Sequence, residues 1–226
     1  MEQKVSVAID GPSGAGKSTI ARRLAGELGY YYVDTGAIYR TVAYFFDLWG
    51  VAVKDIDAVT RYIDELTIGI EYDDEGVQHM IMNGMDVTDD IRTQDIAQKA
   101  SVVSAYPVVR EVLLDMQRQA ARAHNVIMDG RDIGTVVLPK ATVKIFLTAS
   151  AEVRARRRAA ELQAKGQKAD YAKVLEQIRQ RDHQDTHRAI APLKQAKDAV
   201  KVDTTDMDID QVVAAIRKIV DEKVGK

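Results

Sequence analysis

Residues 5–24 read VSVAIDGPSGAGKSTIARRL. A short apolar run ends at Asp10, a glycine-rich turn follows, and a helical pattern starts at Lys17 and Ser18. The spacing from Gly11 to Ser18 is G-x-x-x-x-G-K-S, in a strand, loop, helix context, which marks a loop that holds nucleotide phosphates. Glycines at 11, 14 and 16 let the backbone turn tightly and approach a ligand without Cβ clashes. The loop N–H groups then point inward at a helix start, where the helix dipole also favours an anion. Lys17 brings positive charge to the outer phosphates, and the Ser18 hydroxyl is placed to help ligate Mg²⁺.

Strand-like and helical runs alternate outward from this stretch, the pattern of an α/β protein with a parallel sheet. The strand candidates are residues 5–10, 30–33, 126–129, 143–148 and 199–203. Their near-continuous apolar character suits strands covered on both faces. The first helix is expected over about 17–28 with Gly29 as its stop, and the last over about 209–223. Residues 66–88 break the alternation with three short strand-like runs separated by Asp73-Asp74-Glu75-Gly76 and Asn83-Gly84. Asn-Gly between such runs is a strong hairpin signal, so a small antiparallel meander is expected. Helices over about 93–105 and 107–123 follow, Pro107 suiting a first turn. The stretch 62–106 is a candidate acceptor-side insertion within one domain spanning 1–226.

Composition narrows the function. The 226 residues are 46% hydrophobic and 29% charged, with a net charge of −2, which fits a soluble globular chain and lacks the basic excess of a nucleic-acid coating protein. With no cysteine, thiolate catalysis and Cys-based metal sites are excluded. The N-terminus has no signal-peptide pattern, and no run approaches the ~18 apolar residues of a spanning helix. A cytoplasmic location is the expectation.

Several clusters could serve an acceptor. DTGAIYR (34–40) carries Thr35 and Arg40; DGRDIG (129–134) carries Arg131 and Asp132; QRDHQDTHR (180–188) places Arg181, Asp185 and Arg188 along one helical face. Turn chemistry or a solvated salt-bridge face accounts for each cluster taken alone. Together they set arginines near the connections that follow strands, where ligands bind in an open parallel sheet, and arginine forks suit phosphate oxygens. Asp129, at a strand end, could support the metal directly or through water, or could cap a turn. Arg154, Arg157 and Arg158 share a helical face ahead of Gly166, either as a solvated helix or as a lid over residues 152–170 that closes on the polyphosphate. No general base or nucleophile pair stands out. That fits an acceptor that is already anionic, leaving alignment and charge stabilisation as the catalytic work. A nucleotide-dependent switch and a nucleic-acid module are alternatives, but the Asn-Lys-x-Asp guanine motif is absent and the arginine-rich stretch is short.

The motifs IDGPSGAGKST, DTGAIYR, IRTQDIAQKASVVSAYPVVRE, DGRDIGTVV, KIFLTAS and RDHQDTHRAIAPL, in this order over nearly the whole chain, resemble bacterial cytidylate kinase. The resemblance implies a P-loop kinase core, an enlarged nucleoside-monophosphate-binding insertion at 62–106 and a short lid at 152–170. It implies phosphoryl transfer from ATP with Mg²⁺ to CMP or dCMP, by a monomer that binds neither nucleic acid nor membrane. Gly11, Pro12, Ser13, Gly14, Ala15, Gly16, Lys17, Ser18 and Thr19 would hold ATP. Thr35, Arg40 and Arg131 would hold the acceptor phosphate, with Arg188 supporting. Ser101, Arg110 and Asp132 resemble the cytosine-recognising set, and Arg181 and Asp185 the pentose-side set. Arg157 and Arg158 resemble the lid arginines, which with Lys17 and Arg131 would stabilise the transferring group. Some relatives carry Ser where this chain has Thr35.

Overall fold

The computed structural model describes residues 4–164 and 166–225. A five-stranded sheet runs in the order β2-β6-β1-β7-β8, with every pairing parallel. Its strands are β1 (Ser6–Asp10), β2 (Tyr31–Asp34), β6 (Val126–Gly130), β7 (Val143–Thr148) and β8 (Val200–Asp203). β1 is the central strand, an apolar run paired with β6 on one edge and β7 on the other. Val7, Ala8 and Ile9 are fully buried, and Ser6 and Val7 face Val126 and Ile127 in register.

The sheet separates two apolar layers. On one face, α1 (Lys17–Leu28) and α8 (Ile209–Val224) press Ile20, Leu24, Val213 and Ile216 onto Ile9, Ile127 and Ile145. On the other, α2 (Thr35–Leu48), α4 (Gln94–Val103) and α5 (Pro107–Ala123) pack over Ala8, Val33 and Met128. A second sheet, β3 (Ile68–Tyr72), β4 (Gln78–Met82) and β5 (Met85–Asp86), is antiparallel throughout. Its Met80 and Met82 join the same apolar layer as α2 and β6, so the meander is packed into the main core. Between β2 and this meander, α3 (Ile56–Tyr62) is capped by Asp55. The pair α6 (Ala151–Ala164) and α7 (Tyr171–His187) shares a small cluster of Ala155, Val174 and Ile178. Lys165, inside the expected lid stretch, lies outside the described residues, as do residues 1–3 and 226 at the ends of the expected domain.

Local chemistry sets the element ends. Asn83 and Gly84 both adopt positive φ, at 49° and 82°, the geometry that a tight hairpin turn demands. β2 begins one residue later than expected because the Tyr30 N–H donates to the Ala25 carbonyl and is consumed in closing α1. The helix expected over 93–105 shortens because Thr93 is its cap, its side chain accepting from the Ile96 N–H. α8 opens with a reciprocal Asp208–Gln211 capping box.

One contact fixes the phosphate loop onto the sheet. A Cβ on Gly11 would lie 1.9 Å from the Leu147 carbonyl oxygen in β7. Gly11→Ala is therefore expected to force backbone movement and lower stability by about 3 kcal/mol, read as a reduced midpoint in urea unfolding.

Candidate active site

The loop after β1 and the residues ending β2, β6 and β7 meet at the carboxyl edge of the sheet. Gly16 closes the loop in the left-handed region, φ 85°, and hands over to α1. Lys17 is 5% exposed, and its Nζ donates to the Pro12 carbonyl at 2.8 Å. Ser18 and Thr19 stand exposed in the first turn of α1. At the end of β2, Asp34 caps α2 by accepting from the Ala37 N–H and also pairs with Arg40 at 3.0 Å. Buried Thr35 donates its hydroxyl to the Asp129 carbonyl at 2.7 Å, tying α2 to the end of β6. Asp129 is itself oriented by the Tyr32 hydroxyl at 2.8 Å.

The segment after β6 carries the densest charge. Arg131 donates from Nε to Asp185 of α7 at 2.7 Å. Asp132 is paired with Arg110 of α5 through one carboxylate oxygen and with Arg188, just past α7, through the other at 3.3 Å. Arg110 also donates to the Ser104 carbonyl at 3.1 Å, and its guanidinium lies 5.8 Å from the Tyr39 ring centre. Ser101 sits half-buried one turn earlier in α4. The residues singled out at 35, 40, 110, 131, 132, 181, 185 and 188 come from four separate stretches of chain: Arg131–Asp185 and Arg110–Asp132–Arg188 are bonded directly, Thr35 and Arg40 are held by Asp129 and Asp34, and Arg181 is a charge neighbour of Arg131, Asp185 and Arg40.

Charge repulsion runs through this set. Burial, reinforced by Arg131, pushes the Lys17 ammonium down to about 7. Burial, again with Arg131 adding repulsion, takes the Arg181 guanidinium down to about 10. Burial and then the neighbouring Asp34 charge raise the Asp129 carboxyl to about 6. The Nε atoms of Arg40 and Arg181 are buried without a hydrogen-bond partner among the described residues. Buried donors left unpaired beside a surplus of positive charge call for an anion.

The arginines of α6 divide. Arg158 is half-exposed and bonds Glu161, yet its charge is among those acting on Arg181. Arg157 turns the other way, donating to the Thr204 carbonyl at 2.7 Å and the Met207 carbonyl at 3.3 Å. Arg154 is buried and bridges three elements: it donates to the Ser13 carbonyl in the phosphate loop, to the Ala149 carbonyl and twice to Asp182 of α7. Sequence reasoning set Arg154 beside its neighbours on a helical face and missed this bridge. It also left Tyr32, Gln78 and Asp182 unremarked. A cleft of 440 Å³ opens on the other side of Arg40, lined by Arg22, Tyr32, Asp34, Gln78 and Arg92 among others.

For Mg²⁺, the fit lies in oxygen donors. The Ser18 hydroxyl has no protein partner among the described residues, and Asp129 engages Tyr32 through one carboxylate oxygen only. Among the described residues no cluster of three carboxylates or histidines forms a closed metal cage, and a phosphate-bridging Mg²⁺ needs none.

The Lys17 shift has a stability consequence. Its folded value lies below its unfolded value, so the cost of burying the charge is full below about pH 7 and is relieved as pH rises towards 10.5. The unfolding free energy of the unliganded wild type, minus that of Lys17→Met, is expected to increase from pH 7 to pH 10. Urea titrations at each pH read it.

Similarity to known proteins identifies the family. Residues 7–222 match the family model described as cytidylate kinase. The cytidylate kinase of Exiguobacterium sp. is 46% identical over 222 residues, covering 98% of this chain and 99% of the relative. That of Carboxydothermus hydrogenoformans is 48% identical over 217 residues, covering 96% and 97%. A crystal structure of an uncharacterized protein from Eubacterium ventriosum shares the fold at 14% identity, with a TM-score of 0.51 over 96% of this chain and 99% of its own. A glycine loop held against a parallel sheet, and a family match running from β1 into α8, place the chain in the cytidylate kinase family.

Proposed function

We propose that the protein transfers the γ-phosphoryl group of ATP to CMP or dCMP, giving ADP and CDP or dCDP, without a general base. The observation that carries this reading is the convergence of Lys17, Arg131 and Arg181 at the sheet edge of a cytidylate kinase family chain. Two polyanions must be held end to end there, and the buried positive charge has no full complement in the protein itself.

In this reading the Gly11–Thr19 loop binds the ATP phosphates through its backbone N–H groups, and Lys17 and Arg131 stabilise the transferring phosphoryl. Mg²⁺, held by Ser18 and supported by Asp129, supplies neutralisation of phosphate charge when bound. Thr35, Arg40 and Arg131 hold the acceptor phosphate, whose second pKa of about 6 leaves it largely dianionic and nucleophilic at neutral pH. Ser101, Arg110 and Asp132 read the base. A carboxylate accepts from the cytosine N4 amine, and Arg110 or the Ser101 hydroxyl donates to O2 or N3; uracil inverts that pattern. Arg181 and Asp185 hold the pentose side, with Arg188 fixing Asp132. Residues 62–106 form the monophosphate-binding insertion of a single domain and residues 152–170 the lid. Arg158 reaches the phosphates directly, whereas Arg157 must first leave Thr204. The protein acts as a cytoplasmic monomer on free nucleotides; among the described residues no helix is long and apolar enough to cross a membrane.

ADP release measured with CMP, dCMP, UMP, AMP and GMP tests the acceptor. The expected order puts CMP and dCMP first; a preference for AMP or GMP would sink the assignment. Lys17→Ala should reduce turnover about 100-fold or more, because it removes charge at the reacting phosphoryl. Arg110→Ala should raise the KM for CMP well above any change in the KM for ATP. An equal change in both would make Arg110 a purely structural residue.

A further inference from the structure

We infer that Asp10 is a positioning residue that locks the acceptor-binding segment 131–134 to the start of the phosphate loop. Its carboxylate is 4% exposed. One oxygen accepts from the Ile133 N–H at 2.7 Å and the other from the Gly134 N–H at 2.7 Å. These are short, charge-assisted bonds to consecutive backbone donors. They cross 123 and 124 residues of sequence.

Side chains hold that segment at Arg131 and Asp132, through Asp185, Arg110 and Arg188, whereas the backbone N–H groups of Ile133 and Gly134 are held by Asp10. β6 ends at Gly130, whose register partner in β1 is Asp10 itself. Beyond Gly130 the chain carries Arg131 and Asp132 and then enters a wide turn over Ile133–Val137, in which the Val137 and Leu138 N–H groups reach back to the Asp132 and Ile133 carbonyls. That turn leaves its first N–H groups without partners of their own, as any helical start does. Asp10 takes two of them. Gly134 packs so close that a Cβ there would sit 3.3 Å from the Asp10 carboxylate, so the carboxylate and the turn interlock.

Asp10 therefore acts twice. Its backbone leads directly into Gly11 and the donor loop, while its side chain sets the height and rotation of the residues that carry Arg131 and Asp132. Phosphoryl transfer depends on the separation between donor and acceptor phosphates, and misplacement by about 1 Å can cost about 100-fold in rate. A carboxylate buried at this junction is itself costly: burial pushes it up to about 6 against the two N–H bonds that favour its charge. An apolar residue would avoid that cost and would leave the two N–H groups unpaired. The inference rests on the CMP reading above for its kinetic arm only.

The test uses Asp10→Asn, which keeps the volume and opposes one N–H donor with its amide. KM for CMP is expected to rise about tenfold or kcat to fall by that factor, with KM for ATP within about twofold of wild type. Equal changes in both KM values, or wild-type kinetics, would overturn the positioning role. Wild-type turnover of CMP, measured alongside, separates failure of this inference from failure of the acceptor assignment. Amide hydrogen exchange covers the cases where the variant misfolds or CMP is not the acceptor. In the full-length wild type, the Ile133 and Gly134 amides should exchange as slowly as Ile127 in β6. Exchange at the rate of exposed amides would remove the lock and the inference with it.

Discussion

The burial of Lys17 beside Arg131 and Arg181 is the constraint on which the rest of the structure depends. Positive charges removed from water repel one another and lose solvation at once. Asp129 and Asp185 offset part of that cost, but each is already engaged, Asp129 by Tyr32 and Asp185 by Arg131. The protein's own carboxylates therefore leave part of this positive charge uncompensated, and in the proposed function substrate phosphates supply the balance. Preorganised charge of this kind serves catalysis because no reorganisation is needed when negative charge moves during transfer. It also draws on the stability of the unliganded protein, a common cost of functional sites.

Holding such a site requires a stiff frame, and the parallel sheet supplies one. β1 is paired on both edges, and its last residue serves both loops. The phosphate loop starts so close to β7 that there is no room for a Cβ on Gly11 beside the Leu147 carbonyl. It cannot slide towards solvent without breaking the Arg154 bond to the Ser13 carbonyl. Arg154 continues to Asp182 on α7, the helix that carries Arg181 and Asp185. One buried side chain thus joins α7 directly to the phosphate loop.

Much of this was legible in the sequence. The glycine spacing fixed the loop and its helix, the apolar runs located all five parallel strands, and Asn83-Gly84 located a hairpin. These are local signals, written within a few residues of the structure they specify. The proposed acceptor residues Thr35, Arg40, Arg110, Arg131, Asp132, Arg181, Asp185 and Arg188 follow from clusters and from family resemblance, not from contacts. What spacing could not reveal was who pairs with whom. The ends of Asp10–Gly134 and Arg154–Ser13 lie far apart in the chain, and strand order is not written in any single strand. Three of the four α6 arginines look alike in sequence, yet Arg154 is buried, Arg157 grips the turn after β8 and Arg158 faces Glu161. The one-residue offset of β2 has the same origin, since Tyr30 could serve either a strand or a helix cap and the cap took its N–H.

The position of β1 also bears on the order in which the molecule can be made. Of the five parallel strands, β1 is made first, yet it lies furthest in sequence from its neighbours: β6 and β7 begin at Val126 and Val143. Long-range parallel pairing of this kind is slow, because loop closure must precede the contacts that reward it. During synthesis, the apolar run of residues 5–10 must wait, unpaired, until well over half of the chain has been translated. Until then its apolar face is left to chaperones or to early collapse onto α1 for cover. The glycine loop is therefore made well before the strands that flank β1 and hold the loop in place.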